Sequence, residues 1–264
     1  MSVEPAHPVV LDCQQIERRF GGLVALTGVD LQVRRGEIFG LVGPNGSGKT
    51  TLTNAITGFY PPQKGRITLA GRDITGLAPH AVARLGVART FQNLALFNGM
   101  TVLDNILLGR HVHMNPGVLR TLFYPWLARP EEILHRRIVE DIIDFMQLQG
   151  VRDELVDAIP IGLKKRVELA RALVAEPSFL ILDEPMAGMN QEEKEYMARF
   201  VLDARDERGV RVLLIEHHMD IITGFCDRML VLSSGEVIDT GIPRDVVKNP
   251  RVIKAYLGGA HVEG

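Results

Sequence analysis

Cysteine is almost missing: Cys13 and Cys226 are the only two in 264 residues. A disulfide-stapled scaffold is therefore excluded, and the usage suits a reducing compartment. An excess of either charge is missing too, since 30 Lys and Arg stand against 32 Asp and Glu, a formal net charge of -2. That balance argues against a nucleic-acid binder relying on a basic field. No apolar run approaches the roughly 20 residues a membrane-spanning helix needs. The start, Met1-Ser2-Val3-Glu4-Pro5, has no basic segment followed by an apolar one, so no secretory signal is expected. Internal repeats and low-complexity stretches are absent as well. With 46 % hydrophobic and 23 % charged residues, disorder, collagen and coiled coil are ruled out. A soluble, cytosolic protein with a substantial core is expected.

What is there alternates short apolar runs with longer helical patterns. Ile38-Phe39-Gly40-Leu41-Val42, Phe179-Leu180-Ile181-Leu182 and Val212-Leu213-Leu214-Ile215 lack in/out alternation. Parallel strands covered on both faces look like this. Met229 to Leu232 and Glu236 to Asp239, separated by Ser233-Ser234-Gly235, read as an edge hairpin. Val9 to Ile16, Val29 to Val33 and Arg66 to Leu69 alternate partially, which predicts a small antiparallel sheet. From about Val102 to Ala175 the pattern is helical, with Ile138, Ile142, Phe145 and Met146, then Val167, Ala170, Leu173 and Val174 at helical spacing. The stretch from His111 to Pro130 reads as a loop with a short helix. The fold class expected is α/β, a parallel-sheet core with an antiparallel β subdomain and an α-helical subdomain. One domain over 1–264 is expected, divided at roughly 9–92, 93–175 and 176–264.

The strongest motif is Gly43-Pro44-Asn45-Gly46-Ser47-Gly48-Lys49-Thr50, with Thr51 following. It lies between an apolar strand and the helical run Leu52 to Ile56, the setting of a P-loop. Glycines let backbone N–H groups wrap phosphates, and the helix N-terminus adds a favourable dipole. Lys49 reaches the β- and γ-phosphates and the Thr50 hydroxyl binds Mg²⁺ in this arrangement. ATP and Mg²⁺ are thus the expected ligands of a P-loop NTPase.

Asp183 and Glu184 follow an apolar strand. Ligands of open parallel sheets bind at carboxyl ends of strands, so both acids are expected beside the loop. Asp183 is then a partner of Mg²⁺, and Glu184 can polarise an attacking water. Gln92 and His217 also follow apolar segments. Such a Gln can ligate Mg²⁺ and position water, and such a His can hydrogen-bond the γ-phosphate. Taken alone, both are more often plain surface residues. A rival use of His111, His113, His217 and His218 as metal ligands has no Cys or acidic ligand to support it. Phe20, at a strand end, can stack on a nucleotide base or pack in a core.

The order of phosphate loop, Gln92, helical stretch, Gly162, Asp183-Glu184 and His217 resembles the nucleotide-binding domain of ATP-binding cassette (ABC) transporters, a RecA-like P-loop fold. The resemblance spans Phe20 to Leu257. It implies that Phe20 stacks on adenine, Gln92 is the Q-loop glutamine, Glu184 the catalytic base and His217 the switch histidine. It further implies that two ATPase subunits, alike or different, clamp two ATP molecules head to tail. Arg18-Arg19-Phe20-Gly21-Gly22-Leu23, Ala88-Arg89-Thr90-Phe91-Gln92, Ala187-Gly188-Met189-Asn190 and the tail Asn249 to Gly258 look like the LivG-type ATPases of branched-chain amino acid importers. That branch implies permease subunits, a periplasmic or extracellular solute-binding protein, and a peripheral location on the cytoplasmic face of the membrane. A lipid or lipopolysaccharide exporter ATPase and a soluble ABC ATPase of DNA repair or translation are the alternatives.

One motif departs from the family. Its signature is Leu-Ser-Gly-Gly-Gln, and the aligned stretch here is Ile159-Pro160-Ile161-Gly162-Leu163. Pro160 offers neither hydroxyl nor backbone N–H, although Gly162 and the helix N-terminus still favour an anion. Lys164, Lys165 and Arg166 read as a solvated helix face rather than a nucleic-acid patch. Leu94, Leu96, Phe97 and Met100 form an apolar segment that either faces a permease, as the family implies, or packs in the helical lobe.

Overall fold

The computed structural model describes residues 8–91, 95–112, 129–217 and 219–257, with backbone alone for 111–112, 129–133 and 257. The chain divides into two compact units, one of residues 1–87, 178–184 and 201–264, the other of 88–177 and 185–200. The second unit thus also takes a piece just after the Asp183-Glu184 pair, which no shift in composition marks.

In chain order the strands are β1 (Val9–Phe20), β2 (Leu23–Arg34), β3 (Ile38–Val42), β4 (Lys64–Leu69), β5 (Arg72–Asp73), β6 (Val87–Arg89), β7 (Phe179–Asp183), β8 (Arg211–Ile215), β9 (Arg228–Ser233) and β10 (Glu236–Gly241). They form a four-stranded sheet in the order β2-β1-β4-β5 and a six-stranded sheet in the order β10-β9-β3-β8-β7-β6. The expected antiparallel sheet is the first of these, with β1 pairing antiparallel to both β2 and β4. Its strands run longer than their alternation indicated. In β1 the inward positions are Leu11 and Cys13, then Ile16 rather than residue 15. Gln15, at φ 51°, inserts a bulge there. The bulge resets the in/out period, and the strand continues to Phe20.

β3, β7, β8 and β9 run parallel through the second sheet. Every residue of β3 and β7 is buried, the reason their sequences carry no alternation. β9 and β10 make the expected antiparallel edge hairpin. Ser234 and Gly235 turn it at φ 50° and 79°, as a two-residue turn matching strand twist requires. Leu11, Ile16, Leu26, Phe39, Leu52, Ile56, Phe179 and Leu213 lie in one continuous core. Each such side chain contributes roughly 1.5–3 kcal/mol by leaving water. Helices α1 (Lys49–Ile56) and α2 (Pro79–Arg84) belong to the same unit, and both cysteines are buried free thiols.

The second unit is helical: α3 (Val102–Leu108), α4 (Arg129–Phe145), α5 (Ile161–Leu173) and the first part of α6 (Gln191–Arg208). Thr101 caps α3 by accepting from the Asp104 N–H at 3.1 Å. Asn105, fully buried, holds the preceding loop: it accepts from Phe97 N–H at 2.8 Å and donates to Phe97 O at 3.2 Å. The Lys164-Lys165-Arg166 stretch is not a solvated face. Lys165 is 5 % exposed and stands 3.7 Å from the equally buried Glu168. Arg166 is half-buried, donates to Met146 O and Gln147 O, and lies 4.8 Å over the Phe200 ring. The charges are taken in because α5 is covered on that side by the end of α4 and by α6. The remaining helices, α7 (Met219–Phe225), α8 (Pro243–Val246) and α9 (Pro250–Leu257), return to the first unit. No described helix is long and apolar enough to cross a membrane.

Candidate phosphate-binding site

The loop 43–48 leaves the buried end of β3 and enters α1 at Lys49. Glycine is required at both of its ends. A Cβ on Gly43 would run into the Leu232 carbonyl and lie 2.6 Å from Ser47 Oγ, and one on Gly48, at φ 108°, would lie 2.8 Å from Ala25 O. The loop is braced by a residue that the sequence marks only as a turn. Gly235 donates to Ser47 O at 2.9 Å and accepts from Thr27 N–H at 2.9 Å, tying the β9–β10 hairpin to the loop and to β2.

Within this cradle Lys49 is buried, and its Nζ donates to Gly43 O at 2.7 Å and Pro44 O at 3.1 Å. Burial lowers its pKa, while the charges of Glu184 and then Asp183 work in the opposite direction. Ser47 Oγ is buried without a hydrogen-bond partner. A buried unmet hydroxyl and an ammonium donating to two loop carbonyls suit a loop built to close on phosphate oxygens. Asn45, Gly46 and Thr50 are exposed, and Pro44 and Thr51 are half-buried.

Asp183 ends β7, in register with Ile215 of β8. Glu184 turns out of the sheet at φ 48°, its N–H donating to Ile215 O at 3.0 Å. A left-handed glutamate costs energy and is kept where the surrounding structure imposes it. His217 follows β8, and its Nδ1 lies 3.6 Å from Glu184 Oε1. The structure therefore brings Lys49, Asp183, Glu184 and His217 to one end of the parallel strands.

Phe20 is the last residue of β1, partly exposed, and packs T-shaped with Tyr60. Gly162 is the second residue of α5, and it is buried in the second unit against Glu193. Pro160 is the helix N-cap and makes no side-chain cap. Gln92 lies outside the described residues, as do His113, His218 and the side chain of His111. Among the described residues no three of His, Cys, Asp and Glu gather as metal ligands.

Tyr256 was not singled out by its sequence context. α9 carries its phenol to the backbone of Gly43; burial pushes that phenol up to about 12, with Gly43 pulling the other way. Nothing in the local pattern links a tail tyrosine to the loop.

Residues 26–187 match the family model described as ABC transporter, and 236–262 match that described as branched-chain amino acid ATP-binding cassette transporter. The chain is 39 % identical over 251 residues to the high-affinity branched-chain amino acid transport ATP-binding protein BraF of Pseudomonas aeruginosa, covering 95 % of this chain and 98 % of that one. It is 37 % identical over 258 residues to the high-affinity branched-chain amino acid transport ATP-binding protein LivG of Escherichia coli, covering 95 % of this chain and 98 % of that one. Among solved structures, the ADP conformation of an ATP-binding cassette of an ABC transporter superposes with a TM-score of 0.84 at 32 % identity, covering 95 % and 99 %.

Proposed function

The chain belongs to the ABC transporter family, among its branched-chain amino acid transport ATP-binding proteins, and from that premise we propose the solute, partners and residue roles that follow. It is an ATPase whose hydrolysis of ATP powers transport, working within a transporter complex. The solute is a branched-chain amino acid or a related small molecule. The whole of 1–264 acts as one ABC ATPase domain.

The observation carrying the site is the meeting of Lys49 with Asp183, Glu184 and His217. The loop from Gly43 to Thr51 wraps the phosphates, and Lys49 leaves its two carbonyls to bind the β- and γ-phosphates. Thr50, Asp183 and Gln92 offer hydroxyl, carboxylate and amide oxygens, the hard donors Mg²⁺ takes alongside substrate phosphates. When bound there, Mg²⁺ would supply charge neutralisation for the transferring phosphoryl group. Water attacks the γ-phosphorus as its proton passes to the Glu184 carboxylate, and the bond to the bridging oxygen breaks to release ADP. His217 hydrogen-bonds the γ-phosphate from beside Glu184. Phe20 stacks on adenine.

The proposed assembly pairs this chain with a second ABC ATPase, identical or different. The pair docks on permease subunits at the cytoplasmic face and is served by a periplasmic or extracellular solute-binding protein. Nucleic acid has no part in it. Gly162 and the α5 N-terminus face the partner's nucleotide, and Pro160 weakens that contact. Purification with the permeases and reconstitution into vesicles tests the reading. ATP-driven uptake of labelled leucine supports it; recovery with ribosomes or nucleic acid instead of permeases overturns it.

A further inference from the structure

One cluster of the first unit is built but takes no part in hydrolysis. The Phe20 ring is 38 % exposed and Tyr60 43 %. The rings of Tyr60 and Phe20 meet in a T-shaped arrangement, with centroids 5.4 Å apart and planes at 79°. Arg18 Cζ lies 4.8 Å from the Phe20 centroid and 5.8 Å from that of Tyr60. Its Nη1 donates to Pro61 O at 2.7 Å. Its Nε is buried with no hydrogen-bond partner among the described residues, so the guanidinium is fixed by the Pro61 carbonyl and by the rings it lies on.

The cluster is tied to the phosphate loop from two directions. Tyr60 N–H donates at 3.1 Å to Asn54 O, on the helix that grows out of the loop. Phe20 pairs with Leu23 across the hairpin turn. Ala25, whose carbonyl abuts Gly48, lies two residues further along, roughly 7 Å at the rise of a strand. The aromatic cluster is therefore joined to the phosphate loop through both β2 and α1.

We propose that Arg18 and Tyr60 are positioning residues for the nucleobase: Arg18 covers one face of Phe20, leaving the base the other, and Tyr60 sets the tilt of the ring. This rests on the reading of Phe20 as the stacking aromatic. An isolated exposed phenylalanine rotates and offers either face. Held by a cation over its ring and by a T-shaped aromatic neighbour, it presents a single prepared surface. Stacking of this kind tolerates base identity, because every base has a π-face.

The test uses the full chain and equilibrium calorimetry with two probes, ATP and inorganic tripolyphosphate. Arg18→Ala and Tyr60→Ala should each weaken ATP binding about three- to tenfold, the share of stacking that ring placement controls. Tripolyphosphate binding should be unchanged in both. Tyr60→Phe should behave as the parent, since a phenyl ring can make the same T-shaped contact, and Arg18→Lys should not rescue, since an ammonium cannot lie flat. Phe20→Ala should cost at least as much as either, with no further loss when Arg18→Ala is added. Parent-like ATP binding in Arg18→Ala and Tyr60→Ala, with loss in Phe20→Ala, overturns the proposal and leaves Phe20 its role. No loss in Phe20→Ala overturns the underlying reading as well. Equal weakening of tripolyphosphate shows general loosening of the unit and also overturns the proposal.

Discussion

His217 holds its Nδ1 3.6 Å from Oε1 of Glu184, each residue following the end of one of two paired parallel strands. The pairing keeps the proposed proton acceptor and the proposed γ-phosphate ligand side by side. If Glu184 is the base, Glu184→Gln should keep ATP binding and lose about 10²- to 10⁴-fold in turnover, the usual span for that role. Lys49→Ala should weaken binding itself. Calorimetry beside phosphate-release kinetics separates the two, and equal losses of binding would remove the role given to Glu184.

Gly43 and Gly46 both carry positive φ but face different surroundings. A Cβ at Gly43 meets the Leu232 carbonyl, whereas nothing lies within 4 Å of one at Gly46. Gly46→Ala should therefore cost about 1 kcal/mol of backbone strain alone. Gly43→Ala must displace the β9 end or the loop and should cost several times more, with ATP binding lost. Thermal melts with and without nucleotide read this directly; similar penalties at the two positions would show that the loop yields freely.

Gly162 is packed against a side chain with work of its own. Glu193 Oε2 accepts from Asn190 N–H at 2.9 Å while Asn190 Oδ1 accepts from Glu193 N–H at 2.9 Å, a reciprocal cap on α6. A Cβ on Gly162 would lie 2.7 Å from Glu193 Cδ. Gly162→Ala should push Glu193 out of the cap, costing about 1 kcal/mol. The same change on a Glu193→Ala background should add little. Denaturant midpoints of the four proteins close the cycle, and additive losses would dissociate the two sites.

Lys165 and Glu168 form a buried pair in α5. Burial pushes the Glu168 carboxyl up, with Lys165 pulling it down. Lys165→Met removes the buried carboxylate's nearest counter-charge, leaving it the Phe91 N–H and the charge of Arg171, and should cost up to about 3–5 kcal/mol. Adding Glu168→Gln keeps an acceptor for Phe91 N–H, now 3.2 Å away, and should recover most of that. The folded carboxyl titrates above the unfolded one, so the folded chain retains a proton that the unfolded chain has released. Its contribution is complete below the ordinary carboxylate range and is lost as pH rises through the folded value. Lys165→Met should move that loss further upward, making its deficit larger near about pH 8 than near about pH 5. Urea titrations at both values check the sign.

Phe97 is more than half exposed, and its backbone, not its ring, is tied to Asn105. Phe97→Ala should shift stability by less than about 0.5 kcal/mol. If the ring contacts a permease, the variant complex should hydrolyse ATP with less uptake per ATP. An unfolded variant would make Phe97 part of the core, and an unchanged ratio would end its docking role.

Much of the parallel sheet was legible because its signals are local. β3, β7 and β8 read as buried strands from unbroken runs of Val, Ile, Leu and Phe. A loop of glycines between such a strand and a helix admits few backbone paths. Acids placed directly after a parallel strand end up at its carboxyl edge wherever the strand sits in the sheet. Lys49, Asp183 and Glu184 could therefore be assigned to one place before any contact was known.

The sequence could not determine what depends on partners far along the chain. The β1 strand seemed to stop at Ile16 because a bulge at Gln15 shifts the alternation, and only pairing with β2 and β4 shows the strand continuing. Three consecutive cations on α5 looked solvated, since charge alone predicts exposure. Tertiary packing buried Lys165 beside Glu168 and laid Arg166 over Phe200. Gly235 braces the phosphate loop and Tyr256 reaches Gly43 because the β9–β10 hairpin and α9 return to it. Helical and strand periods record which face is apolar. Which charged or polar group will cover that face is settled by close packing between distant segments, where burial becomes affordable only once a specific counter-charge or carbonyl is in reach.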